Sequence, residues 1–137
     1  MYTPGHFDRQ GNPCTQVEVR GLDGRKHAID DVVIDTGFSG FLQMPKSLAA
    51  VIRLEDGPMV ESTLADNRKI AMETAYGTVD FQRYSRRGVI MLSATLPRVL
   101  AGMDSLRIFR LALVVLPPNE VALIDQNLVS GLTWNGG

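Results

Sequence analysis

With 137 residues, 45% of them hydrophobic and 21% charged, the chain is long enough to bury one core and too short for two full lobes; its composition is neither disordered nor fibrous. A formal net charge of -1 and a pI near 6.1 supply no broad basic field, which argues against nucleic acid or an anionic membrane as the main partner. A single cysteine, Cys14, excludes an intrachain disulfide and a cysteine-based zinc cluster and fits a reducing, cytoplasmic compartment, while residues 1–10 lack the apolar stretch of a signal peptide and no apolar run approaches membrane-spanning length.

The first clear strand signal is Cys14 to Arg20, where Val17 and Val19 alternate with polar neighbours. Leu22-Asp23-Gly24 is a hairpin-turn signal that sends the chain back along Lys26 to Asp35. The end of that second strand is the most informative stretch. Val32-Val33-Ile34 has the pattern of a buried strand, and it stops abruptly at Asp35-Thr36-Gly37-Phe38-Ser39-Gly40. Charge at the end of a buried strand is costly unless it has a partner or a task. A polar turn after a strand has the same residue types, since aspartate and glycine dominate turns, so the motif takes its weight from its surroundings.

Pro45 to Leu54 opens with proline at a first helical position and repeats apolar residues at three and four, which predicts a short helix ended by Asp56-Gly57-Pro58. From Val60 to Phe81 the strand pattern returns around a polar turn, Ala65-Asp66-Asn67-Arg68, and predicts a second hairpin whose returning arm extends to Val79 and Phe81. Ser85-Arg86-Arg87-Gly88 reads as a turn into another strand, Val89 to Leu92. Leu100-Ala101-Gly102 then meets a short amphipathic segment bearing Leu106 and Phe109. Leu111 to Leu116 and Val121 to Ile124 are two further strands around Pro117-Pro118. The pattern is all-β with one or two short helices.

Other chemistry-bearing residues have plainer readings. His6 and His27 are far apart and adjoin no serine or cysteine motif, so they support no catalytic triad. Cys14 lies in a strand without cationic neighbours, as expected of a buried, inert thiol. Asp104 opens a short helix, where an acid serves as a cap or dipole partner rather than as a second catalytic carboxylate. Arg83, Arg86 and Arg87 surround a turn and read as a solvated loop, and the scattered methionines fill core or pocket space.

The phrases DTGFSGFLQMP, TLADN and LAGMDSL resemble single-domain prokaryotic members of the retropepsin-like aspartic protease family, and the order of elements from Cys14 to Ile124 is similar to that fold. The resemblance implies residues 14–124 as the protease domain, with 1–13 an extension or first strand and 125–137 a tail. It implies a catalytic loop made of Asp35, Thr36 and Gly37. It also implies a flap whose Thr63, Leu64, Ala65, Asp66 and Asn67 bind an extended peptide, and a Leu100-Ala101-Gly102 element packed beneath the catalytic loop. Peptide hydrolysis by this route needs two carboxylates sharing a proton, one to activate a water and the other to protonate the carbonyl. One Asp-Thr-Gly in a short chain therefore implies a closed two-fold homodimer, each subunit contributing Asp35, with no metal or organic cofactor and a peptide or protein substrate. Thr36 is then expected to hydrogen-bond across the axis, Gly37 to let backbone amides approach the carboxylate, and the terminal strands to tie the dimer. Phe38 stands where relatives commonly have alanine or serine, and Asn67 where glycine would make a looser flap tip. These departures leave a non-catalytic dimeric peptide-binding or scaffolding module as the alternative.

Overall fold

A computed structural model describes residues 2–129. In chain order the elements are β1 (Tyr2–Pro4), β2 (His6–Phe7), β3 (Pro13–Arg20), β4 (Lys26–Ile34), β5 (Leu42–Pro45), α1 (Lys46–Ile52), β6 (Glu55–Asp56), β7 (Val60–Thr63), β8 (Lys69–Met72), β9 (Thr74–Phe81), β10 (Tyr84–Ser93), β11 (Leu100–Ala101), α2 (Met103–Phe109), β12 (Leu111–Leu116) and β13 (Glu120–Asp125), with a 3-10 turn at Gln126–Leu128. An eight-stranded sheet runs β2-β3-β4-β11-β5-β10-β9-β6 and curls back on itself through a β3–β9 pairing. A three-stranded sheet, β1-β13-β12, and the separate β7-β8 hairpin complete the architecture.

Burial follows the sequence pattern strand by strand. Val17 and Val19 of β3 point inward with period two. β4 changes character along its length: its first half alternates at the surface, and Val32, Val33 and Ile34 are all buried as the strand enters the core. It does so because β11 slides in beside it, parallel to β4 and antiparallel to β5, pairing Leu100 and Ala101 with Val33 and Ile34 on one side and with Gln43 and Leu42 on the other. Leu42, Met44, Ile52, Val79, Ile90 and Phe109 form the centre of the core. The Phe109 ring stacks against Phe41 and meets Phe81 edge-on, at centroid distances of 6.3 and 6.0 Å.

Four sequence expectations are corrected. Ser85 to Gly88 is not a turn: the chain reverses at Gln82-Arg83, where Gln82 takes a left-handed φ of 55°, and β10 runs unbroken through the glycine. Gly88 is accommodated there because the Phe41 ring fills the space a Cβ would need, at 2.4 Å. The stretch from Val60 to Phe81 is not one hairpin either, because the chain breaks at Glu73 into β8, which pairs with β7, and β9, which pairs with β10. Pro45 is the residue before α1 rather than its first, with an extended ψ of 138°, and the helix ends at a left-handed Arg53. Among the three arginines, only Arg83 sits in a turn. Arg86 and Arg87 project from β10, and Arg87 pairs with Glu55 and lies over the Tyr76 ring.

One ion cluster ties the frame. The buried Asp80 on β9 pairs with Arg20 of β3, whose Nη2 donates to Oδ1 at 3.0 Å, and accepts the Ser85 hydroxyl of β10, with Lys26 of β4 at 3.9 Å. Burial alone would raise its carboxyl pKa, but Ser85 and Arg20 outweigh burial and hold it below the ordinary value.

Candidate active site

Asp35 follows immediately after the buried end of β4, half-buried, with Thr36 and Gly37 exposed beside it. Its backbone is fixed from two sides. The Asp35 amide donates to the Ala101 carbonyl at 2.9 Å, and the Asp35 carbonyl accepts the Phe38 amide at 3.1 Å to close the turn. The carboxylate is oriented locally, because the Gly37 amide donates to Asp35 Oδ1 at 2.9 Å. A methyl group on Gly37 would stand 3.2 Å from that same oxygen.

The loop after Asp35 has little freedom. The first amides of α2, which lack partners within their own helix, donate instead to its carbonyls: Met103 to Phe38 at 2.8 Å, Asp104 to Gly40 at 3.2 Å and to Ser39 at 3.3 Å. The Gly102 amide donates to the Phe41 carbonyl at 3.0 Å, and the Ser105 hydroxyl returns to the Gly102 carbonyl at 2.6 Å. Gly102 is where the two segments touch. A Cβ at this position would lie 2.3 Å from the Gly40 carbonyl oxygen and 2.5 Å from that of Phe38. The Phe38 ring lies across Gly40 and Gly102, over the cradle these two segments form beneath Asp35. Asp104 sits in the first turn of α2 and pairs with Arg107.

Thr63, Leu64, Ala65, Asp66 and Asn67 form the tip of the β7-β8 hairpin. The turn closes on itself through Leu64 N–H to Arg68 O at 2.8 Å and Asn67 N–H to Leu64 O at 2.9 Å, with Asn67 left-handed at φ 67°. Asp66 accepts from the Arg68 amide and pairs with its guanidinium at 2.6 Å. The structure thus brings Asp35, Thr36 and Gly37 together on one loop of the large sheet and gathers the second group on a different sheet. At the hairpin base, the Gly57 amide donates to the Thr74 carbonyl at 3.0 Å and the Thr74 hydroxyl to the Pro58 carbonyl at 2.5 Å.

The remaining candidates lie elsewhere. His6 pairs with Asp31 at 2.6 Å. Cys14 is buried, and burial, helped by the charge of Asp8, raises its thiol pKa, as suits an inert side chain. Among the described residues no group of three or more His, Cys, Asp or Glu side chains is arranged to hold a metal ion, and no helix is long and apolar enough to cross a membrane. Sequence reasoning missed a polar cluster in which Arg98, just before β11, reaches Asp8 in the loop after β2. Asp8, Gly11 and Asn12 signal a turn, but nothing local links it to an arginine 90 positions away.

No family model and no curated protein matches the sequence. Solved structures do match. The chain is similar to a retropepsin-like aspartic protease from Rickettsia conorii, with a TM-score of 0.62 and 14% identity over 90% of each chain. It is also similar to EIAV protease in complex with the inhibitor HBY-793, with a TM-score of 0.54 and 14% identity over 80% of this chain and 98% of that one. The fold is retropepsin-like: all-β, with two short helices.

Proposed function

We propose that the protein is an aspartic endopeptidase that hydrolyses peptide bonds with a water activated between two Asp35 carboxylates, one from each subunit of a two-fold homodimer. The observation that carries this reading is an accessible Asp35 whose carboxylate and backbone are both held by hydrogen bonds, at the point of a retropepsin-like fold where an Asp-Thr-Gly loop meets a tightly packed glycine. One carboxylate cannot serve as base and acid in the same step, so the reading requires a second copy. The edge of β12 is the surface that suits one. Among the described residues β12 pairs only with β13, and its end exposes Val115 and Leu116, an apolar edge that a partner strand would cover. In that dimer Thr36 hydrogen-bonds across the axis, and residues 63–67 close over an extended peptide and add backbone hydrogen bonds to it.

Cleavage of a diverse peptide mixture from acidic to neutral pH tests the proposal. Wild type is expected to yield fragments, and Asp35→Asn to reduce the rate by about 10³-fold. Mixing the two chains should lower activity more than dilution does, because every mixed dimer holds one carboxylate. Product profiles that match between wild type and Asp35→Asn would leave a non-catalytic peptide-binding module.

A further inference from the structure

β11 holds the backbone of Asp35, yet it is only two residues long. Such a strand fixes register weakly by itself. Its N-terminal approach is anchored by a group that lies outside the catalytic loop. Arg98 sends one guanidinium nitrogen to Asp8 Oδ2 and another to Gln10 Oε1 at 3.2 Å. Asp8 is in turn the organiser of its own loop. Its Oδ1 accepts the amides of Gln10 and Asn12, both at 2.9 Å, and its Oδ2 accepts the Asn12 side-chain amide at 3.1 Å. The loop joins β2 to β3, whose Cys14 pairs with Val33 of β4 on one side. On the other side of Val33 lies the segment that Arg98 begins: the Val33 amide donates to the Val99 carbonyl at 3.0 Å, Leu100 pairs with Val33, and the Ala101 carbonyl takes the Asp35 amide. The ion pair thus bridges the two neighbours of β4, about 10 Å of extended chain from the Ala101 carbonyl.

We propose that Asp8 and Arg98 form a positioning clamp that sets the register of β11 against β4 and thereby the placement of the Asp35 carboxylate. The inference rests on the protease reading for its effect on rate, but not for its effect on structure. The Asp8 side chain is 11% exposed and that of Arg98 29%, so solvent competes only in part. The Asn12 backbone amide and then Arg98 keep the Asp8 carboxyl well below the usual carboxylate range, with burial opposing them. His6, Arg9 and Asp31 line the same cleft, and His6 is occupied by Asp31.

The test compares Arg98→Gln, Asp8→Asn, the double variant and Arg98→Lys by two readouts: peptide turnover, and amide hydrogen exchange at Asp35 and Gly102 against Val79 and Ile90. Loss of the clamp is expected to lower kcat about tenfold with KM within about twofold, since small displacements of a reacting group are costly. Exchange at Asp35 and Gly102 should rise about tenfold while Val79 and Ile90 hold steady. The double variant should be no worse than either single, and Arg98→Lys should recover part of the loss. Unchanged exchange at Asp35, a rise shared equally by Val79 and Ile90, or an unmoved kcat in an active enzyme would each overturn the clamp. If wild type cleaves no peptide at all, the protease reading falls, and exchange at Asp35 still decides whether the clamp exists.

Discussion

The cradle around Asp35 and the hairpin at residues 60–72 are built on opposite terms. The cradle joins β4, β11, the loop after Asp35 and the start of α2 through a dense set of backbone hydrogen bonds, with Ala101 and Ser105 buried and no room for a Cβ at Gly102. Among the described residues the hairpin pairs only within itself, leaves Ile70 and nearby Met59 40% and 61% exposed, and joins the body through Gly57 to Met59 and Glu73. A reacting carboxylate gains from fixed geometry, whereas a lid must open at low cost. On the proposed reading, the chain places its close packing where the carboxylate must be held and its freedom where a substrate would enter.

The sharpest way to break the contrast is to put one methyl group into the cradle. Gly102→Ala drives a Cβ into two backbone carbonyls that cannot rotate away, because α2 amides hold them. We expect a loss of about 3 kcal/mol and a fall in Tm of roughly 10 °C and, on the protease reading, no turnover in any folded fraction. Thermal unfolding followed by circular dichroism measures it. An unshifted Tm would mean that the close approach of the two loops does not hold in solution.

A smaller effect is expected from the frame at the opposite end of β4, where Asp80 faces Lys26. Because the folded pKa of Asp80 is depressed, its contribution is complete above the unfolded value of about 3.9 and is lost as pH falls through the lower, folded value. Asp80→Asn should therefore cost about 2 kcal/mol at pH 7, a figure kept modest because Arg20 is one-third exposed, and the gap should close as the solution is acidified below pH 3.9. Urea unfolding at pH 7, 5 and 3 measures the gap. A constant difference across that range would separate the loss from the charge of Asp80.

The cradle and the hairpin tip are more legible in the sequence than the framework that holds them. Val32-Val33-Ile34 running into Asp35-Thr36-Gly37, the polar turn at residues 65–68 and Leu100-Ala101-Gly102 each announce themselves in consecutive residues, and the structure places them in the expected order. What escaped notice depends on distant partners. Gly88 has the local signature of a turn residue, yet in the fold Phe41 fills the space of its missing side chain, and the break at Glu73 separates two strands that periodicity merges. Arg98 carries no local mark of its bond to Asp8, since only the pairing of β3, β4 and β11 brings the two together. Phe38, a departure from the family pattern, makes sense once its ring is seen over two glycines.

The hairpin tip gives the gentlest test of the contrast. Asn67 adopts φ 67°, a conformation that asparagine tolerates and a β-branched residue does not. Asn67→Val should therefore strain the turn by about 1–2 kcal/mol. In the cradle a strain of that size would lower the stability of the whole molecule. In a hairpin that, among the described residues, is hydrogen-bonded only to itself, opening precedes unfolding of the body, so the body's own unfolding transition should shift by less than about 0.5 kcal/mol. The strain surfaces instead as roughly tenfold faster amide exchange at Leu64 and Asn67, whose bonds close the turn. Asn67→Gly, which fits the same φ, should leave stability nearly unchanged. If Asn67→Val instead lowers the stability of the body by the full strain, the hairpin unfolds with the core, and the division between a fixed cradle and an independent hairpin does not hold.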